Sequence, residues 1–310
     1  MEKGMLSIIS NRKTKSLVEK TAAIIFRGCA IMSIIAVVSI TGYMIISGTP
    51  AIFSQGIGEI LFSSVWAPTA ATPHYGILLI ILTSIVGVML AILIGVPIGL
   101  LTAINLAELA NPHVRKIVKS CIELLAGIPS VVFGLLGILL VNPLMYKLET
   151  MIFAGSKTHQ FTGGANLLSA IIVLAIMILP TLINISETAL KAVPDDYRKS
   201  SLALGASKMQ TIFKVVVPSA KSGIMSAIVL GVGRAIGEAM AILLVAGNAV
   251  NMPMPFNSVR FLTTAIVSEM GYAQGTHRQV LFTIGLVLFV FIMIINLVLT
   301  FIIKKGDNNE

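Results

Sequence analysis

The chain has 310 residues, 56% of them hydrophobic and only 11% charged, with a mean hydropathy of +0.97. That leaves too little polar surface for one or two water-soluble domains and favours a helical bundle in lipid. The formal charge of +9 would suit a nucleic-acid partner, but its distribution marks membrane orientation instead, and no nucleic-acid role is expected.

A helix needs about 20 apolar residues to cross the hydrocarbon. Six stretches are long enough: Thr21–Ser47, Gly76–Ala107, Cys121–Tyr146, Ala165–Glu187, Ser222–Val250 and Val280–Ile303. They are continuously apolar rather than alternating, so helices are expected rather than a barrel. The fold class is therefore an all-α membrane protein with about six transmembrane helices. Residues 1–20 form an N-terminal segment, 21–303 the membrane domain with a long loop at about 188–221, and 304–310 a tail. The first run follows Lys3, Arg12, Lys13, Lys15 and Lys20. It is too long for a secretory signal and lacks an A-x-A site, so it reads as a retained helix.

Of the 22 Lys and Arg, 17 fall in the N-terminal segment, the segments after the second and fourth spans, and the tail. The alternating segments hold Lys147, Lys157, Arg260 and Arg278, and Arg234 lies within a span. By the positive-inside rule both termini and the long loop lie in the cytoplasm. Pro97, Pro129, Pro143 and Pro180 are expected to kink helices, and the pairs Gly95/Gly99 and Gly233/Gly237 to let helices approach closely. Cys29 and Cys121 lack metal-site spacing and read as apolar fillers.

Two segments carry chemistry. Residues 195–218 read as a short amphipathic helix, a glycine break at Gly205, a second short helix and Pro218 before the fifth span. Long ordered loops tend to be functional. The segment suits either a knob docking into a groove on a soluble partner or a helix lying on lipid headgroups. In the fifth span, Arg234 stands 12 residues beyond Ser222, about 18 Å along a helix and so near the middle of a core about 30 Å thick. Glu238 follows at i+4, so both charges can share a face. Either they form a structural ion pair, or Arg234 lines an anion route with Glu238 orienting or balancing it. The planar guanidinium fork suits a tetrahedral oxyanion. His74, His113, His159 and His277 are expected at the surface. Glu123 and Glu187 are expected to reach solvent or a loop base, and Glu269 is a candidate for the outer mouth.

The long loop resembles the permease signature of bacterial ABC importers: E-A-A, three residues, Gly, nine residues, then I-x-L-P. Gly205, Val215, Val217 and Pro218 match that spacing, and Lys199, Ser200 and Ser201 stand where the signature has E-A-A. Gly127–Gly134, Gly233–Ala241, Glu269–Ala273 and Leu281–Phe289 extend the likeness from about Trp66 onward to phosphate-importer permeases of the PstC type. The resemblance implies a type I importer permease in the bacterial cytoplasmic (inner) membrane. Its partners would be a homologous PstA-type permease, two ATPase subunits, an extracytoplasmic phosphate-binding protein and the surrounding lipid. It assigns Arg234 and Glu238 to the substrate pathway. Lys199, Ser200, Ser201, Gly205, Ala206 and Pro218 fall to the ATPase-coupling loop; Glu269, by its place in the outer loop, is a candidate for the outer mouth or for a contact with the binding protein. No G-x-x-x-x-G-K-[ST] loop occurs, so ATP hydrolysis would reside on a partner, and this chain is expected to be no enzyme and to hold no cofactor or metal. Other readings are a permease for sulfate, phosphonate or molybdate, an ion-gradient-driven secondary transporter, or a membrane-bound interaction protein or sensor; signalling of phosphate status is compatible with transport. The choice of phosphate rests on the resemblance.

Overall fold

The computed structural model describes residues 2–156 and 158–307. Met1, Lys157 (one of the four cations assigned to the outer segments) and residues 308–310 of the expected tail lie outside it. The first helix, α1 (Glu2–Gln55), runs through Pro50 and is followed by α2 (Ile57–Phe62). A two-stranded antiparallel ribbon follows, the only paired strands among the described residues apart from an isolated parallel bridge between Gly247 and Val259. It pairs β1 (Trp66–Ala67) with β2 (His74–Tyr75), Trp66 facing Tyr75. The second span is α3 (Leu78–Ile104), extended by a π-helical turn at 105–109. Then come α4 (Pro112–Gly127) and α5 (Ser130–Leu136), which continues through a π turn at 137–141 into α6 (Asn142–Ile152). The fourth span is α7 (Leu167–Lys191). Beyond it lie α8 (Asp195–Ala203), α9 (Lys208–Thr211), a third π turn at 212–216 and α10 (Val217–Ser219). The chain closes with α11 (Lys221–Gly237), α12 (Met240–Val245), α13 (Leu262–Glu269) and α14 (Gly275–Asp307).

Among the described residues five helices are long and apolar enough to cross a bilayer. Residues 208–219 and 221–237, bent by 69° to one another, bring the number to six when the pair is counted as one broken span. Two of the expected spans differ in kind from a straight rod. The stretch Cys121–Tyr146 is divided at Ile128-Pro129, because proline forces the residue before it out of the helical region, and Ile128 is extended at φ −74°, ψ 127°. Residues 121–127 therefore belong to amphipathic α4, and the span begins at Ser130. The stretch Ser222–Val250 is divided at Glu238, which is extended at φ −72°, ψ 129°.

Lipid supplies little hydrophobic drive for helix association, so close van der Waals fit holds the bundle together. The central core joins α3, α5, α7, α11 and α12. α3 and α7 run parallel: a Cβ on Gly87 would meet Leu167, one on Gly95 would meet Ile178 at 2.6 Å, and one on Gly99 would meet Leu182 at 3.0 Å. Gly95 and Gly99 thus make the expected close approach. Gly233 and Gly237 do not; a Cβ on either meets nothing within 4 Å, so this face of α11 is open. Pro97 and Pro180 lie inside α3 and α7 without ending them. Cys29 and Cys121 are exposed rather than packed as core filler, because α1 presents most of its length outward and α4 is only shallowly buried. At one end of the bundle a second core joins α1, α2, α3, α13 and α14. A third, at the end bearing the Gly205 loop, joins the end of α3 to α4, α7, residues 212–216 and α11.

Gly95→Val is expected to wedge α3 from α7 and cost about 1–3 kcal/mol. Gly233→Val should leave this chain's thermal unfolding midpoint in detergent unchanged; equal losses in the two variants would contradict the packing described.

Candidate functional site

The loop after α7 is built from local signals. Pro194 precedes α8, and Asp195 and Asp196 occupy its first turn, where negative charge favours the helix N-terminus. The helix ends through Gly205, whose φ of +86° is open to glycine without a steric penalty. Ala206 follows, and Ser207 starts α9 with a reciprocal capping box to Gln210. Ser201 Oγ lies 2.9 Å from Thr211 Oγ1, joining α8 to α9. Lys199 and Ser200 are exposed, Lys199 making a long surface pair of 4.0 Å with Asp196. Tyr197, Ser201, Leu204, Lys214, Val215 and Pro218 line an open depression of about 500 Å³. Leu204 is 89% exposed at its rim, an apolar side chain offered outward on a charged loop.

Beneath the loop lies a contact that sequence reasoning did not find. Arg198 of α8 donates from Nη2 to Glu108 Oε1 at 2.7 Å and from Nε to both carboxylate oxygens at 3.2 and 3.3 Å. Its hydrogen bond to Glu108, with the charges of Glu108 and Asp195, raises the guanidinium pKa above its ordinary value against the opposing pull of burial. The partners are 90 residues apart in the chain, and no local pattern links them. Glu187, expected to reach solvent or a loop base, is buried away from solvent and pairs at the base of the loop with Lys191 and, at 3.8 Å, with Lys119. Glu123 is exposed.

In the fifth span, Arg234 and Glu238 do not form an ion pair. The helix ends between them, so i+4 spacing no longer places them on one face. Glu238 is buried and turned into the protein, where Oε1 accepts from Ala241 N at 2.9 Å and so caps α12. Its own carbonyl accepts from Thr263 Oγ1 at 2.6 Å. Arg234, partly exposed, has no hydrogen bond or ion pair among the described residues. It follows Gly233 in sequence, about 100° around the helix from it, beside rather than on the face where the two glycines are open. The break at Glu238 faces the first broken span, since α12 packs on α5, where a Cβ on Gly134 would meet Ala241 Cα at 3.0 Å.

Glu269 is not exposed at an open mouth. It is buried at the end of the bundle away from the Gly205 loop, where Arg260 Nη1 bonds Oε1, Trp66 Nε1 donates to Oε1 at 3.2 Å, and His277 Nε2 lies 2.7 Å from Oε2. His277 is therefore buried rather than a surface histidine. His159 likewise leaves the surface class: its Nε2 is 2.9 Å from the fully buried Glu149, and its ring stacks on Phe153 at 3.9 Å. His74 and His113 are exposed.

Broken and bent membrane helices with a structured loop at one end suit a membrane protein that changes shape, and comparison with known proteins gives its family. The model described as "Binding-protein-dependent transport system inner membrane component" matches residues 95–306. The chain belongs to that family of multi-pass inner-membrane permease subunits. It is similar to the probable ABC transporter permease protein YqgH of Bacillus subtilis, 38% identical over 93% of each chain. It is similar also to the phosphate transport system permease protein PstC of Xylella fastidiosa, 33% identical over 83% of this chain and 82% of that one. In fold it matches a chain of the bacterial alginate ABC transporter crystallised with an alginate pentasaccharide-bound periplasmic protein. There the TM-score is 0.61 at 16% identity, covering 89% of this chain and 92% of that one.

Glu269→Ala leaves Arg260 and His277 without their shared carboxylate, and breaking a buried pair from one side costs about 3–5 kcal/mol. The variant's melting midpoint in detergent is expected to fall well below wild type, with Glu269→Gln in between. A Glu269→Ala protein melting with wild type would remove the clamp from the account of stability.

Proposed function

We propose that this chain is one permease subunit of an ATP-driven importer of inorganic phosphate, lining half of the transmembrane path with the Arg234 face of α11. The observation that carries the reading is a partly exposed intramembrane arginine without a partner among the described residues, next to two glycines, Gly233 and Gly237, at which a Cβ would meet nothing within 4 Å. A cation held in lipid needs a counter-charge, and such residues mark ion and substrate routes. A tetrahedral oxyanion supplies that charge with paired acceptors for the guanidinium fork. The phosphate permeases among its relatives favour phosphate over sulfate, phosphonate or molybdate.

The basic end of the bundle faces the cytoplasm with both termini, as the distribution of Lys and Arg favours. There the depression bounded by Tyr197, Leu204 and Pro218 receives one of two ATPase subunits. A homologous permease covers the open face of α11 and completes the path, and an extracytoplasmic phosphate-binding protein delivers substrate at the Glu269 end. ATP is hydrolysed on the ATPases, and this chain converts their closure into a change of access, leaving phosphate chemically unaltered. Glu238 acts chiefly by holding the break in α11–α12 through its cap on Ala241.

The test is phosphate uptake by proteoliposomes holding the complete transporter. Wild type is expected to show ATP-driven, vanadate-sensitive uptake. Arg234→Ala should lower uptake by at least about tenfold, the scale of one lost charge-assisted hydrogen bond, without loss of complex assembly. Glu238→Gln keeps an acceptor for Ala241 N and should retain more uptake than Glu238→Ala. Uptake that follows a proton or sodium gradient and ignores vanadate would overturn the ATP-driven reading, and full activity in Arg234→Ala would overturn the anion path.

A further inference from the structure

The ends of α3 and α7 pose an electrostatic problem that the Gly205 loop resolves. The two helices run parallel and stop together, so their unsatisfied carbonyls and negative dipole ends lie side by side. Glu108 adds a full negative charge in the π turn that ends α3, where a helix locally disfavours one. Only 10% of its side chain is exposed, so water does little to screen it.

Arg198 answers all of these acceptors at once. Besides its three contacts with Glu108, Nη2 donates to Leu190 O at 2.9 Å and Nη1 to Val193 O at 2.6 Å, with a longer contact to Asp195 Oδ1 at 3.4 Å. The five N–H groups of a guanidinium are thereby spread over the end of α3, the end of α7 and the first turn of α8. A lysine, with three donors at a single point, cannot reproduce that fan. The fastening is concentrated here, because α8 contains no buried residue of its own. On the far side of the same junction, Arg115 of α4 donates to Leu106 O at 2.6 Å and Ala107 O at 3.0 Å. Lys119 of α4 pairs with Glu187 of α7. α3, α4, α7 and α8 are thus locked at one end into a single block.

We infer that the Arg198–Glu108 pair is the strut through which movement of the Gly205 loop enters the α3–α7 pair, making Arg198 a positioning residue for transport through its fork geometry rather than its charge alone. Displacing α8 displaces the ends of two spanning helices together, and α7 carries the motion to α11 through the close contact of Gly223 with Ala189. The inference rests on the proposed ATP-driven function.

Two measurements on the complete transporter test it. In proteoliposomes, Arg198→Lys and Glu108→Gln are each expected to raise the ATP hydrolysed per phosphate carried at least about tenfold, the scale of one charge-assisted hydrogen bond. A wild-type ratio in Arg198→Lys would overturn the role of the fork. In the otherwise unaltered protein, with Cys29 and Cys121 replaced by serine, spin labels at Asp196→Cys on α8 and Leu109→Cys at the end of α3 report whether the block is rigid. Their separation is expected to be the same in the nucleotide-free and vanadate-trapped states. A change of several ångströms would overturn the inference even if the strut variants fail to assemble. If the wild-type complex shows no ATP-driven uptake, the proposed function fails instead, a result distinct from either of these.

Discussion

A break in a membrane-spanning helix frees backbone groups that lipid cannot satisfy, and the interior of this protein is organised around where those groups find partners. At the break after Gly237, the side chain of Glu238 takes the amide of Ala241 while its carbonyl takes the hydroxyl of Thr263. One residue before Thr263, the amide of Leu262 donates to Ser84 Oγ of α3 at 2.9 Å. The broken helix is thereby secured to the start of α13, and α13 to α3. The carboxylate of Glu238 thus holds the start of α12 while its backbone carbonyl holds the start of α13.

The same accounting explains the two ends of the bundle. Away from the Gly205 loop, Glu269 gathers Arg260, His277 and Trp66 from separate segments. At the loop end, arginines from α4 and α8 take up the carbonyls of helices that have run out of their own donors. Between these polar ends, apart from the hydrogen bonds at the Glu238 break, the contacts of α3 with α7 are steric, with glycines admitting side chains of the neighbouring helix. A bundle fixed at its ends and held by fit in its middle can tilt its helices without surrendering its hydrogen bonds. That property suits a protein whose work is to change which side of the membrane it opens to.

Much of the fold was legible because lipid makes harsh demands on sequence. Length and continuity of the apolar runs located the spans, and the spacing around Gly205 located the loop. Pro129 also carried a readable break, although a continuous apolar run concealed it. The break at Glu238 carried no comparable mark: Gly237 is common in membrane helices, and Glu238 read as the i+4 partner of Arg234 only on the assumption of an unbroken helix. Buried polar partners were the least legible. Glu108 with Arg198, and Glu269 with Trp66 or His277, meet only after the chain has folded, and a histidine next to a membrane edge looks alike in sequence whether it is wet or enclosed.

One feature of the first helix reaches beyond the protein itself. α1 meets the rest of the chain mainly along α14, where Thr283 Oγ1 donates to Gly48 O at 2.9 Å and Tyr43 meets Phe282 edge to face. Between Arg27 and Gln55 it runs without a charged residue for about 40 Å of helix, beyond a hydrocarbon core of about 30 Å. A helix of that length tilts or carries its ends into the headgroup layer. Because it is pinned near Gly48, any tilt is borne by α14. The thickness of the surrounding bilayer is thus a mechanical load on the protein, applied through a helix that stands largely outside its core.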